Sequence, residues 1–273
     1  MRITLLGTGS PIPDSRRAGP STLVTADGVT ALIDCGRGVL MRLVAAGTLP
    51  PFLNALLITH LHSDHISDLG DVITTRWVMS PGPSPFVIYG PVGTAEVVRL
   101  TLASLNADVG YRVAHHADLH QGPAVEVREV AAGDTFTVGS AQVTVGWTDH
   151  RPVEPTIAFR FEVGGKSAVL GGDGVPCAGL DELCRGADAY VQTVIREDLV
   201  RLVPSARLQD ILDYHSTVQQ AAQTATTARV GTLVLTHYVP AIQPGQEDEW
   251  RALAAAHFAG PIVLGDDLTF VDL

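Results

Sequence analysis

Leu53-Asn54-Ala55-Leu56-Leu57-Ile58-Thr59-His60-Leu61-His62-Ser63-Asp64-His65-Ile66 runs from an apolar strand into a loop crowded with metal-ligand side chains. The apolar run Leu53–Thr59 suits a strand buried on both faces. Ile66, Leu69, Ile73 and Trp77 then recur at spacings of three and four, which predicts an amphipathic helix. A strand-to-helix loop between them lets His60, His62, Asp64 and His65 converge on one point. Neutral imidazole and carboxylate suit zinc or another borderline divalent ion. Adjacent Asp64 and His65 cannot easily share one small ion with both His60 and His62, so two ions side by side are expected. The remaining ligands must come from distant strand ends. His150 follows the strand Ala141–Trp147, Asp173 follows Ala168–Leu170 within Gly171-Gly172-Asp173-Gly174, and His237 ends Thr232–Thr236. With the cluster they complete two four-ligand sites.

Further out, Ile3–Leu6, Ser21–Thr25 and Thr30–Asp34 read as strands, the last two joined by an Asp27-Gly28 turn. Pro81 to Pro85 ends the helix that starts near Ile66, and Thr94–Asn106 is predicted as the next helix. Ala124 to Leu170 reads as consecutive strands with a turn at Gly164-Gly165. Strand Ala189–Val194, helix Ser216–Ala228, strand Thr232–Thr236 and helix Gln246–Phe258 follow. Pro261–Leu264 and Leu268–Val271 are expected to close as a hairpin. Strand-rich and helix-alternating parts recur in both halves, and no low-complexity linker divides them. The expectation is an α/β chain with two sheets covered by outer helices, one domain over residues 1–273.

Hydrophobic residues at 46% provide for a sizeable core, while 29 acidic against 18 basic side chains give a net charge of −11. Such a chain repels nucleic acid at long range, which disfavours general DNA or RNA binding. Cys35, Cys177 and Cys184 form no Cys-x-x-Cys pair, which suits a reducing compartment. No apolar run is long enough to span a bilayer. A soluble cytoplasmic protein with no membrane partner is expected.

Leu6-Gly7-Thr8-Gly9-Ser10, Ile33-Asp34-Cys35-Gly36, the His/Asp cluster, Gly172-Asp173, His215-Ser216-Thr217 and Leu235-Thr236-His237 together resemble the metallo-β-lactamase-fold hydrolases, in the branch of ribonuclease Z and arylsulfatase-like enzymes. The resemblance implies a four-layer αββα sandwich of two mixed sheets, and a homodimer. It implies that His60, His62 and His150 hold one Zn2+, that Asp64, His65 and His237 hold the other, and that Asp173 bridges them; Mn2+ or Fe also suits such ligands. Paired ions lower the pKa of bound water towards ~7 and can bind both attacking and substrate oxygens. The family places a catalytic histidine at His215, as proton donor to the leaving group or hydrogen-bond donor to the transition state. Asp64 is implied as a proton acceptor as well as a ligand. His215 precedes Ser216-Thr217-x-Gln219-Gln220, a capping-box pattern opening a helix. Asp34 is placed either to orient a ligand histidine or to cap the next helix. Arg17, beside Arg16 on an N-terminal loop, is a candidate for binding the substrate's phosphate or sulfate.

Several positions depart from the ribonuclease Z pattern. Thr193 stands where that family's His-Glu-Ala-Thr segment carries its glutamate, leaving Glu197 or Asp198 as candidate partners for His215. Ser15 and Ala18 replace the lysine and asparagine of a Pro-x-Lys-x-Arg-Asn motif, and Gly174 replaces a threonine. Between His150 and Asp173 there is room for a hairpin but not for a long tRNA-binding arm. Tyr238-Val239-Pro240 is closer to the arylsulfatase-like pattern. His115, His116 and His120 lack a carboxylate partner and read as surface residues; Trp77 and Pro83–Pro85 either pack or line the substrate mouth. The leading expectation is a ribonuclease Z-like phosphodiesterase acting on a small anionic ester or an RNA 3′ end. An aryl sulfate, ester or lactone hydrolase and a non-catalytic binding protein are the alternatives.

Overall fold

Strands whose residues are apolar at successive positions need cover on both faces, and this sets the layering. The computed structural model describes residues 1–273. In chain order its strands are β1 (Arg2–Gly7), β2 (Ser21–Ala26), β3 (Val29–Ile33), β4 (Ala55–Leu57), β5 (Phe86–Gly90), β6 (Val125–Glu129), β7 (Thr135–Val138), β8 (Ala141–Trp147), β9 (Ile157–Val163), β10 (Lys166–Leu170), β11 (Ala189–Ile195), β12 (Thr232–Val239), β13 (Ile262–Val263) and β14 (Phe270–Asp272). They form two seven-stranded sheets, ordered β14-β1-β2-β3-β4-β5-β6 and β13-β12-β11-β10-β9-β8-β7. Both follow one plan. An antiparallel meander (β14, β1, β2, β3; β7, β8, β9, β10) gives way to parallel strands (β3 to β6; β10 to β13).

Alternate residues divide between layers. Ala31, Ile33, Ala55 and Leu57 of the first sheet meet Phe159, Phe161, Val191 and Val234 of the second. Their neighbours Leu32 and Leu56 point outward and pack with Leu43, Val72, Ile73 and Val98 from helices Val39–Ala45, Leu69–Met79 and Thr94–Ser104. On the far side Tyr190, Leu233 and Leu235 pack with Leu183, Ala221, Ala225 and Trp250 from helices Ala178–Cys184, Val218–Thr227 and Glu247–Ala255. The result is the expected four-layer αββα sandwich. No helix is long and apolar enough to cross a membrane.

Several elements differ from the sequence reading, which also named neither the helices Val39–Ala45 and Ala178–Cys184 nor the strand Phe86–Gly90. The helix after the ligand loop is broken into Ser63–Ile66 and Leu69–Met79. The break arises because the His65 carbonyl accepts from Cys35 N and Asp68 N donates to the Cys35 carbonyl, at 2.8 and 3.0 Å, so neither joins a helical ladder. A second helix, Asn106–His115, continues from Thr94–Ser104. The expected C-terminal hairpin does not form. Ile262 and Val263 pair in parallel with β12, whereas Phe270–Asp272 pair with β1 in the opposite sheet. Each segment fills a free strand edge of a different sheet, and the connection crosses between them.

Candidate metal centre

The ligand-type residues sit where strands end at one rim of the sandwich. The loop after β4 carries His60, His62, Asp64 and His65; His150 follows β8, Asp173 follows β10, and His237 lies near the end of β12. One sheet thus supplies four of these side chains and the other three. Ligand atoms of His60, His62, His150 and Asp173 all lie within 4.8 Å of one another, as do those of Asp64, His65 and His237. The Asp173 Oδ2 atom stands between the groups, 3.7 Å from His60 Nε2, 3.3 Å from His65 Nε2, 3.9 Å from His150 Nε2 and 3.7 Å from His237 Nε2. Asp64 Oδ2 is 3.2 Å from His237 Nε2 and 3.7 Å from His65 Nε2.

A second ring of hydrogen bonds sets which nitrogens face inward. His65 Nδ1 donates to Asp34 Oδ2 at 2.7 Å. His60 Nδ1 donates to Thr59 Oγ1 at 3.0 Å, and that hydroxyl donates to Asp34 Oδ2 at 2.9 Å. His150 Nδ1 donates to the Tyr214 carbonyl at 2.8 Å. Each bond leaves Nε2 as the bare nitrogen, the tautomer a metal requires. Asp34 is therefore in contact with His65 and, through Thr59, with His60. It does not cap the following helix, which starts at Val39 behind Gly38.

The donor set fits divalent cations. His65 Nε2 and Asp173 Oδ1 are buried without hydrogen-bond partners, a state that native interiors rarely tolerate. His60 Nε2 and His150 Nε2 lie 3.0 and 3.3 Å from the same His62 Nδ1, so three imidazole nitrogens converge on one point. The backbone is strained around them: Asp34 and His237 adopt φ of 58° and 53°, at a cost of about 1–3 kcal/mol each that surrounding structure must offset. Close approach also demands glycine at Gly36, where a Cβ would fall 2.6 Å from the Asp64 carbonyl oxygen.

Without cations the site's protons are unevenly shared. Burial holds His60 and His62 below the usual imidazole range and lowers His150 to about 4. Burial also disfavours charge on His65 and His237, but Asp173 and the neighbouring Asp34 and Asp64 outweigh it and raise both. Conversely, burial alone would raise Asp173 and Asp64, yet the surrounding histidines hold both carboxyls down. A cation bound there would displace protons from His65 and His237.

His215 points Nε2 at Asp173 Oδ2, 3.4 Å away, while Nδ1 donates to the Ile211 carbonyl at 3.1 Å. The capping box is formed: Thr217 Oγ1 accepts from Gln220 N at 3.1 Å, and Gln220 Oε1 accepts from Thr217 N at 2.9 Å. It anchors the chain just past His215. Neither Glu197 nor Asp198 serves His215, because Glu197 pairs with Arg201 at 2.6 Å and Asp198 with Arg196 at 2.7 Å. Thr193 instead donates to the Gly172 carbonyl at 3.0 Å, bracing the turn that carries Asp173.

Arg17 is a correction. Its side chain is 3% exposed and is engaged by Thr8 Oγ1 at 2.6 Å and Asp266 Oδ1 at 2.8 Å, so it locks the N-terminal loop to the C-terminal segment and does not reach the cleft. That cleft, of about 470 Å³, is lined by Asp64, Asp173, His215 and His237 together with Ile12, Leu208, Ile211, Tyr214 and Arg207. Sequence reading passed over Arg207, which is set in no motif. Trp77 and Pro83 line a separate hollow of about 300 Å³ that shares no residue with the cleft, and His115, His116 and His120 are exposed away from it.

A fold of two mixed sheets between helices, with a His/Asp cluster at the strand ends, defines a metallo-β-lactamase-type hydrolase. Residues 30–238 match the β-lactamase superfamily domain. The chain is 61% identical to the ribonuclease Z of Mycolicibacterium paratuberculosis over 270 residues, covering 98% of this chain and 96% of that one. Two solved structures share the fold: the metallo-β-lactamase fold protein YhfI from Bacillus subtilis (TM-score 0.77, 21% identity, 99% of both chains) and human tRNase Z, short form (TM-score 0.73, 23% identity, 100% and 99%). The chain belongs to the β-lactamase superfamily and, within it, to the ribonuclease Z family of metal-dependent phosphodiesterases.

Proposed function

We propose that residues 1–273 form one dinuclear zinc hydrolase domain that cuts a phosphodiester at an RNA 3′ end in the cytoplasm. The near full-length identity to ribonuclease Z carries this reading. The short His150–Asp173 connection does not argue against it, since the ribonuclease Z relative is of nearly the same length. In this reading His60, His62 and His150 hold one ion, Asp64, His65 and His237 the other, and Asp173 lies between. Bound ions supply Lewis-acid polarisation of the phosphoryl oxygen and an acidified water.

The chain's own groups do the rest. Asp34, Thr59 and the Tyr214 carbonyl hold ligand imidazoles in one tautomer. Asp64 accepts a proton from water on the substrate side of the cleft. His215, fixed through its Nδ1–H on the Ile211 carbonyl, acts as the imidazolium: it carries a second proton on Nε2 towards Asp173 Oδ2, gives that proton to the departing ribose oxygen and is left neutral. Two copies are expected to associate as a homodimer, an assembly supported by Met41 and Val44, 75% and 55% exposed on one short helix.

The test is zinc-loaded protein assayed side by side on precursor tRNA, bis(p-nitrophenyl) phosphate, an aryl sulfate and a lactone. Cleavage of the RNA at its 3′ side, with the diaryl phosphate as a poorer substrate, is expected. Turnover of the sulfate or lactone alone would overturn the reading.

A further inference from the structure

Seventeen arginines and one lysine must serve a chain of net charge −11, and acids neutralise most of them. Arg2, Arg16, Arg17, Arg42, Arg99, Arg112, Arg128, Arg151, Arg160, Lys166, Arg196, Arg201 and Arg251 each pair with a carboxylate within 4 Å. Five do not: Arg37, Arg76, Arg185, Arg207 and Arg229. Of these only Arg207 lines the metal cleft, and it is the cleft's sole arginine or lysine. Its position is built. Ser205 caps the turn Ala206–Gln209, and Leu208 and Ile211 pack on Ile195, Val200 and Val239. The same segment supplies the Ile211 and Tyr214 carbonyls that hold His215 and His150.

We infer that Arg207 binds a phosphate of the RNA strand beside the scissile linkage, while Ile12, Leu208, Ile211 and Tyr214 give the adjoining nucleotide an apolar wall. This rests on the ribonuclease reading. An unpaired guanidinium offers a planar fork for phosphate oxygens, and in an otherwise acidic protein it directs the strand to this side of the centre.

The test compares Arg207→Ala, Arg207→Lys and the control Arg201→Ala, whose arginine is already paired on the same segment. Each is assayed on precursor tRNA and on bis(p-nitrophenyl) phosphate, which has no flanking phosphate; circular dichroism and zinc content establish that each variant is folded and loaded. Arg207→Ala should raise KM for the RNA about 5–10-fold with kcat little changed. The slope of log affinity against log salt should fall in magnitude by about 0.7, the loss of one single-strand phosphate contact. Arg207→Lys should recover part of the KM, and the diaryl phosphate should be hydrolysed at the wild-type rate by all three. An unchanged KM and salt slope for RNA in Arg207→Ala would overturn the inference and leave the ribonuclease reading standing. An equal loss on both substrates would also overturn it, placing Arg207 in the structure of the centre. Wild-type protein that hydrolyses the diaryl phosphate but no RNA would overturn the ribonuclease reading itself.

Discussion

His215 is held by a main-chain carbonyl and faces Asp173, with no carboxylate dedicated to it. If it delivers a proton and holds no ion, His215→Ala should keep its metal and its fold yet lose about 10²–10⁴-fold in turnover. The loss should be greatest for a ribose leaving group and shrink for nitrophenolate, which departs unprotonated; loss of metal would make His215 a ligand instead. Asp173 is the opposite case, since its Oδ2 atom lies within 4 Å of imidazoles from both ligand groups. Asp173→Ala should therefore strip metal from both sites and abolish activity, whereas exposed His116→Ala should do neither; elemental analysis and turnover compare the two. The ligand candidates were legible because their residue types are rare in such density and stand at strand ends. Arg17 was misread because its partner Asp266 lies 249 residues away. Arg207 carries no local pattern, and its meaning depends on which other arginines are already paired.

At the scale of elements, strands were the most legible, because apolar runs covered on both faces leave little choice of structure. The helix Asn106–His115 escaped notice because its stripe is thin: none of its residues is fully buried, and only Val109 and Val113 among its apolar side chains are half-buried. The C-terminal hairpin failed because pairing partners are chosen by open sheet edges, which a local pattern does not display. The loops at the rim are tightly fitted to one another. A methyl group at Gly36 would meet the main chain of Gly19 at 2.5 Å and the Asp64 carbonyl oxygen at 2.6 Å, so neither loop can yield without moving the other. Gly36→Ala should lower the melting temperature by several degrees, as a loss of about 1–3 kcal/mol does, and should weaken metal binding with it. A melting temperature and metal affinity equal to wild type would show that the loops accommodate the methyl.

For the whole molecule, the unequal protonation of the centre predicts how metal-free protein responds to pH. His60, His62 and His150 are held down, His150 to about 4. The unfolded chain binds these protons first, so stability falls as pH drops from about 6.5 towards 4. His65 and His237 are raised; their contribution is whole below about 6.5 and is lost as pH rises through their folded values. Asp64 and Asp173 are depressed, so their contribution is lost only on the acid side, below the unfolded carboxyl value of about 4. Thermal melts in chelator should therefore peak near pH 6.5 and decline on both sides. Added zinc should raise the melting temperature more at pH 8 than at pH 6, since it competes with protons. A flat profile in chelator would contradict these assignments.

The two sheets make unequal contributions to the centre: one six-residue loop on the first, three separate loops on the second. Asp64 and His237, which meet there, are 173 residues apart in the chain. An ion held from both sides would act as a cross-link between the halves of the sandwich, closing a circuit of 173 residues between Asp64 and His237. By the chain-entropy argument for such closures the constraint is worth about 5 kcal/mol. Metal loading should then lengthen the lifetime of the folded chain, and limited proteolysis in chelator should cut first at the seam between the sheets.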